Sequence, residues 1–97
     1  MPAYCLVDVH VTDPEGYKKY SSQVLPTIER FGGRFLVRGG KTEVREGAWD
    51  LKRVVLLEFP SMEKAKAWYD SPEYQAILKL RLAAADANFV FVEGWEG

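Results

Sequence analysis

Residues Ala3 to Val11 alternate with the period of a β-strand, yet neither face of that strand is polar. Cys5, Val7, Val9 and Val11 make one face wholly apolar, and Tyr4 and Leu6 open the other before Asp8 and His10 follow. Arg53 to Phe59 repeats the pattern, with Val55, Leu57 and Phe59 on one side and Val54 and Leu56 beside Glu58 on the other. A sheet with one solvated side shows clean apolar–polar alternation. Strands apolar on both sides must be covered on both. Helices of the same chain can cover one face; the other predicts a second copy packed sheet against sheet. Either Phe89 and Phe91 or Val90 and Val92 must join that second face from the last strand.

The remaining elements follow from local signals. Thr12-Asp13-Pro14-Glu15 starts a helix with a capping side chain, a proline whose missing N–H costs little, and a first-turn acid. Tyr17, Tyr20, Val24, Ile28 and Phe31 form one helical face. Pro26 is expected to bend this helix, and Gly32-Gly33 to end it. Arg34 to Arg38 reads as a second strand, with a bulge or bend at Gly39-Gly40 and a continuation through Thr42 to Arg45. Glu46 to Lys52 is a turn carrying an exposed Trp49, and Arg53 to Phe59 is the third strand. Pro60-Ser61 and Ser71-Pro72 each open a helix, about Met62 to Tyr69 and then on to about Asp86, and Asn88 to Gly94 closes the chain as a strand.

The order βαββαβ predicts an α+β ferredoxin-like domain spanning 1–97: a four-stranded antiparallel sheet with helices on one face. The right-handed crossover rule puts the first and third strands at the centre, and is read as making them parallel. A chain of 97 residues hides only about 65% of its unfolded surface, so its own core is modest. Thirteen basic against fourteen acidic residues leave a net charge of -1, with no excess to draw nucleic acid or an anionic membrane. Cys5 is the sole cysteine, which excludes an internal disulfide and a cysteine-based zinc site. The longest strongly apolar run, Val54 to Leu57, is too short to span a bilayer, and the first residues lack a targeting pattern. A cytoplasmic location is expected.

Several strings together resemble one family: Val11-Thr12-Asp13-Pro14-Glu15-Gly16-Tyr17, Phe31 through Gly40, Glu58-Phe59-Pro60-Ser61, and Ala67 through Tyr74, with Arg81 beyond. In that order they are similar to the domain of unknown function 1330 family, within the dimeric α/β-barrel superfamily of ferredoxin-like folds. The resemblance covers nearly the whole chain. It implies a homodimer with facing sheets, and no established activity. Superfamily relatives include cofactor-independent monooxygenases, haem-degrading enzymes, dye-decolourising peroxidases and isomerases; sites are grafted on folds, so none of these activities transfers.

Asp8, His10 and Glu58 are the candidate catalytic residues. They share the semi-polar side of the two central strands and are expected to line a pocket between the helices' edge and the partner sheet, with Arg38 or Arg81 as counter-charge. His10 or Glu58 would act as base and Asp8 would orient it. The competing reading makes the trio ion pairs that close the ends of a barrel. Arg81 lies on an apolar helical stripe with Tyr74, Ile77 and Leu78, so it needs a carboxylate or an anion, unless its head reaches water. Glu58 and Asp8 are its expected partners. Arg38, Trp68, Tyr69, Tyr74 and Arg81 are the candidate ligand-binding residues; Trp68 and Tyr69 are either core or the wall of a pocket for a planar molecule. Cys5 is expected to be an inert core residue. One histidine beside one carboxylate falls short of a metal site, haem ligation by His10 has only fold relatedness behind it, and no nucleotide-binding loop is present. No cofactor is implied. The sequence points to a small-molecule-binding homodimer, with cofactor-free turnover of monooxygenase or isomerase type as an open extension. The alternative is a non-catalytic dimeric structural or binding module.

Overall fold

The computed structural model describes residues 1–97. Four strands, β1 (Ala3–Val11), β2 (Arg34–Arg38), β3 (Arg53–Phe59) and β4 (Ala85–Glu93), form one sheet in the order β2-β3-β1-β4. Four helices, α1 (Pro14–Ser21), α2 (Val24–Arg30), α3 (Met62–Asp70) and α4 (Pro72–Ala84), lie across one side. The result is a two-layer slab of 36 × 33 × 16 Å. β1 and β3 are central as expected, but they pair antiparallel. The crossover rule makes β1 parallel to β2 and β3 parallel to β4; the reversal between β2 and β3 then sets the two central strands against each other.

The two faces separate as the alternation requires. Cys5, Val7, Val9, Val55, Leu57 and Phe59 are buried under the helices. Tyr20, Val24, Ile28, Trp68, Tyr74, Ile77 and Leu78 close over them from the other layer. β4 aligns Val90 with Leu6 and Val92 with Tyr4. These two valines therefore complete the outward apolar face, 49% and 47% exposed, while Phe89 and Phe91 pack against the core.

Helix boundaries follow their caps. Ser61 accepts the Lys64 N–H at 3.1 Å to open α3. Ser71 accepts the Tyr74 N–H at 3.2 Å to open α4 and donates to the Trp68 carbonyl at 2.7 Å, so one side chain joins the two helices at their corner. Asp13 occupies the cap of α1 without a side-chain bond to the helix. The first helical region is two helices rather than one bent one, broken at Ser22-Gln23. A proline ring collides with the carbonyl four residues back. For Pro26 that carbonyl is Ser22's, so the break falls one turn ahead of the proline, which then sits harmlessly in the first turn of α2. No strand resumes at Thr42 to Arg45; residues 39–52 form an exposed loop. Gly39 ends β2 with φ +73 and gives its N–H to the Val54 carbonyl at 2.8 Å. α4 stops at Ala84 and β4 begins at Ala85, two residues and three residues earlier than expected. The Ala84 carbonyl accepts the N–H groups of Thr12 and Asp13, at 2.8 and 2.9 Å, which fixes that corner.

Candidate functional site

The sheet pairing contains one irregularity, and it shapes the site. Phe35 lies opposite Leu57 and Arg38 opposite Val55, while Val37 lies opposite Leu56. Leu36 is therefore an extra residue, a bulge between Phe35 and Val37. A bulge shifts the alternation by one. Without it Arg38 would share the outward face with Arg34; with it Arg38 joins Phe35 on the helix side. There its Nη2 donates to the Ser21 carbonyl at 2.8 Å and its guanidinium stacks on Phe35, 4.4 Å from the ring centre.

Arg38 lies at the rim of a crevice between the sheet and the helices, with apolar and aromatic walls that include Val9, Phe35, Trp68 and Phe89. The space not filled by atoms, counted with the open solvent at its mouth, is about 440 Å³, with about 30 Å³ that water molecules can enter. A water needs about 10–15 Å³ measured in this way, so the crevice holds about two. Three arginines line it, Arg38, Arg53 and Arg81, with the hydroxyl-bearing side chains Tyr17, Tyr20 and Ser21, and no acidic residue does.

Each arginine arrives by a different route. Arg53 opens β3 on the same side as Val55 and Leu57, directly opposite Val9. Its guanidinium rests over Tyr17 at 5.8 Å and against Gly39, where a Cβ would stand 2.5 Å from Nη1. Gly39 is glycine both for its positive φ and for this close approach. Arg81 is 5% exposed on α4, on the stripe that also buries Tyr74, Ile77 and Leu78. It faces Phe89 at 5.3 Å and Tyr20 at 6.0 Å. Glu58 and Asp8, its expected partners, lie on the far side of the sheet, and no ion pair includes Arg81. The Nε atoms of Arg53 and Arg81 are both buried without a partner.

The Tyr20 and Tyr74 hydroxyls bond to each other at 2.9 Å beside Arg81. Burial raises the pKa of both, against the opposing Arg81 charge, so both stay protonated at neutral pH. Burial opposes the charge of Arg81, but the neighbouring tyrosine hydroxyls Tyr74 and Tyr20 outweigh it and its pKa is raised. Trp68, 1% exposed, is both core and crevice wall, and its Nε1 donates to Thr27 Oγ1 at 3.1 Å. Tyr69 packs at the edge of this aromatic cluster, 5.3 Å from Phe89, and Tyr74 supports the crevice from behind through Tyr20. Cys5 is buried and its pKa is pushed up to about 12 by desolvation, an unreactive thiol.

The candidate catalytic trio is placed elsewhere. Asp8, His10 and Glu58 share the outward face, as the alternation requires, but not one site. Asp8 Oδ2 meets His10 Nε2 at 3.0 Å, and Asp8 Oδ1 accepts the Lys52 N–H at 3.0 Å. That backbone N–H first, and His10 next, hold the Asp8 carboxyl below its ordinary pKa. Glu58 stands opposite Tyr4, four residues along β1 and about 13 Å from the Asp8 row. It takes Arg34 at 2.8 Å instead. Within the chain neither Arg38 nor Arg81 is their counter-charge, because both lie on the helix side of the sheet. No three His, Cys, Asp or Glu side chains converge as a metal-binding group, and no helix is long and apolar enough to cross a membrane.

Arg53, Tyr17, Tyr20, Phe35 and Phe89 line the crevice and were not singled out by sequence reasoning. Arg53 had a legible signal: it is the one charged residue on the odd-numbered, core-facing side of β3.

The structure is similar to that of a Rhodopseudomonas palustris protein of unknown function, at 23% identity and a TM-score of 0.80 over 99% of this chain and 84% of that one. A dimeric ferredoxin-like protein of unknown function from Jannaschia sp. CCS1 matches at 13% identity and a TM-score of 0.72, over 97% and 100% of the two chains. SnoaB, a cofactor-independent oxygenase from Streptomyces nogalater, matches at 12% identity and a TM-score of 0.70, over 99% and 95%. At these identities the likeness is one of fold. No curated protein matches. The family model for the domain of unknown function DUF1330 matches residues 2–95, and the chain belongs to that family.

Proposed function

We propose that the protein is a homodimer, packed sheet against sheet, that binds a small organic molecule in the crevice of each protomer. The crevice carries this reading: apolar and aromatic walls with a few convergent polar groups are the composition of a ligand site. The dimer is supported by the outward face, where Leu6 and Leu56 stand opposite each other beside the exposed Val90 and Val92, and by the dimeric Jannaschia protein of the same fold. On this reading Asp8, His10 and Glu58 serve the paired sheets through their ion pairs with one another and with Arg34.

Turnover without a cofactor is supported only by the fold likeness to SnoaB. It would need a base in the crevice, and the hydroxyls of Tyr20 and Tyr74 are held protonated. Binding is therefore the function the geometry supports best. The narrowness of the crevice, with water-sized room of about 30 Å³, favours a non-catalytic dimeric module as the second reading. Light scattering tests the assembly: wild type should be a dimer and Leu6→Glu a folded monomer, and a wild-type monomer at micromolar concentration would sink the claim. A small-molecule library read by Trp68 fluorescence tests the crevice. At least one saturable response is expected, and none across the library would overturn the reading.

A further inference from the structure

Resting on the crevice as a binding site, we propose that its ligand is a small organic monoanion, a carboxylate or an enolate, whose charged head is held by Arg81 and whose apolar body lies along Trp68 and Phe89. Arg81 is a buried guanidinium with no acidic partner, faced only by neutral tyrosine hydroxyls. It is 5% exposed, its Nε has no partner, and it is in no ion pair. A buried charge without a counter-charge is costly unless something supplies one. Glutamate and aspartate are absent from the crevice lining, so no group of the chain supplies it. Arg53 repeats the motif with a second buried, unpartnered Nε, and Arg38 adds a third positive charge at the exposed rim.

The donor count agrees. Arginine only donates, in a planar fork that matches a carboxylate or enolate oxygen pair. Tyr20 and Tyr74 share one hydrogen bond between two hydroxyls, which leaves one hydroxyl hydrogen free to turn toward an anion. The walls argue against a strongly hydrated inorganic anion as the ligand, since apolar surface around Arg81 rewards an apolar body. Space is made at the rim. Arg38 is exposed and held by one carbonyl and a stacked ring, so it is the side chain that yields to admit the ligand.

The test uses a variant in which Trp49 and Trp95 are replaced by phenylalanine, leaving Trp68 as the sole tryptophan of the three. Matched acid and amide pairs of increasing body size, beginning with benzoate and benzamide, are titrated beside inorganic phosphate. The acids are expected to bind roughly 10- to 100-fold more tightly than their amides, the usual worth of a charged hydrogen-bonded contact. Arg81→Met should abolish that discrimination, and Arg38→Gln should weaken it while leaving Arg81 in place. Equal binding of acids and amides would overturn the anion assignment and leave the crevice reading standing. Phosphate binding as tightly as the organic acids would overturn the organic ligand. No binding by any pair would overturn both.

Discussion

Replacing Arg81 with methionine should leave the stability of the protein nearly unchanged, although the residue is buried at the centre of the proposed site. In the wild type without ligand, a guanidinium is buried with an unpartnered Nε and no carboxylate. An unmade bond of a buried donor costs about 1–3 kcal/mol, and exchanging a buried charge for an apolar side chain of similar reach is often stabilising. Against this stand the lost contacts with the rings of Phe89 at 5.3 Å and Tyr20 at 6.0 Å. Each is worth about 0.5–1 kcal/mol. The interaction of the guanidinium with the Tyr74 hydroxyl is lost as well, although Tyr74 keeps its bond to Tyr20. The gain and the losses are of the same size, so the balance lies within about 1 kcal/mol of zero and Tm should stay within roughly 4–8 °C of the wild type. Thermal unfolding by circular dichroism, at one protein concentration because dimers unfold with concentration dependence, measures it. A Tm below that of the wild type by more than this would refute the reasoning, because it would mean that the charge is compensated within the fold. Arg81→Lys keeps a buried charge without the planar fork and should lower Tm relative to Arg81→Met.

Gly33→Ala should cost about 1–3 kcal/mol by overpacking, since its Cβ would stand 2.5 Å from Cε1 of Phe59 and 2.8 Å from Cγ2 of Ile28; chemical denaturation checks this, and an unchanged midpoint would contradict it. Tyr20→Phe should cost about 1 kcal/mol, and the double variant Tyr20→Phe, Tyr74→Phe less than the sum of the two single changes, because one hydroxyl pair is removed in each case. For pH, the Asp8 carboxyl is held below its ordinary value of 3.8 by the Lys52 N–H and then by His10. Its contribution is present above that value and is lost as pH falls through the lower folded-state pKa. Asp8→Asn should therefore flatten the acid limb of a plot of Tm against pH, and an unchanged acid limb would contradict this.

Much of the fold was legible in single residues. Two-faced strands required cover on both sides, and Cys5, Val7 and Val9 went under the helices while Leu6 and Tyr4 faced out. Ser61 and Ser71 marked helix starts that hydrogen bonds bear out. Pro26 marked a break, but one turn from where bending was expected, since a proline acts on the carbonyl four residues before it. The site was legible only in its parts. Arg81 was flagged as a charge needing an anion, and it has none within the chain.

Periodicity by itself determined which residues share a face, because side-chain direction along a strand or helix is a local property of the backbone. Tertiary structure alone decided which face meets which. The bulge at Leu36 turned Arg38 toward the helices, and strand register placed Glu58 beside Arg34 rather than beside Asp8. Both arise from hydrogen bonding between segments distant in sequence, where a shift of one residue moves a side chain to the opposite side of the sheet. The bulge added Arg38 to a crevice that Arg53 and Arg81 already line and that no acidic residue reaches.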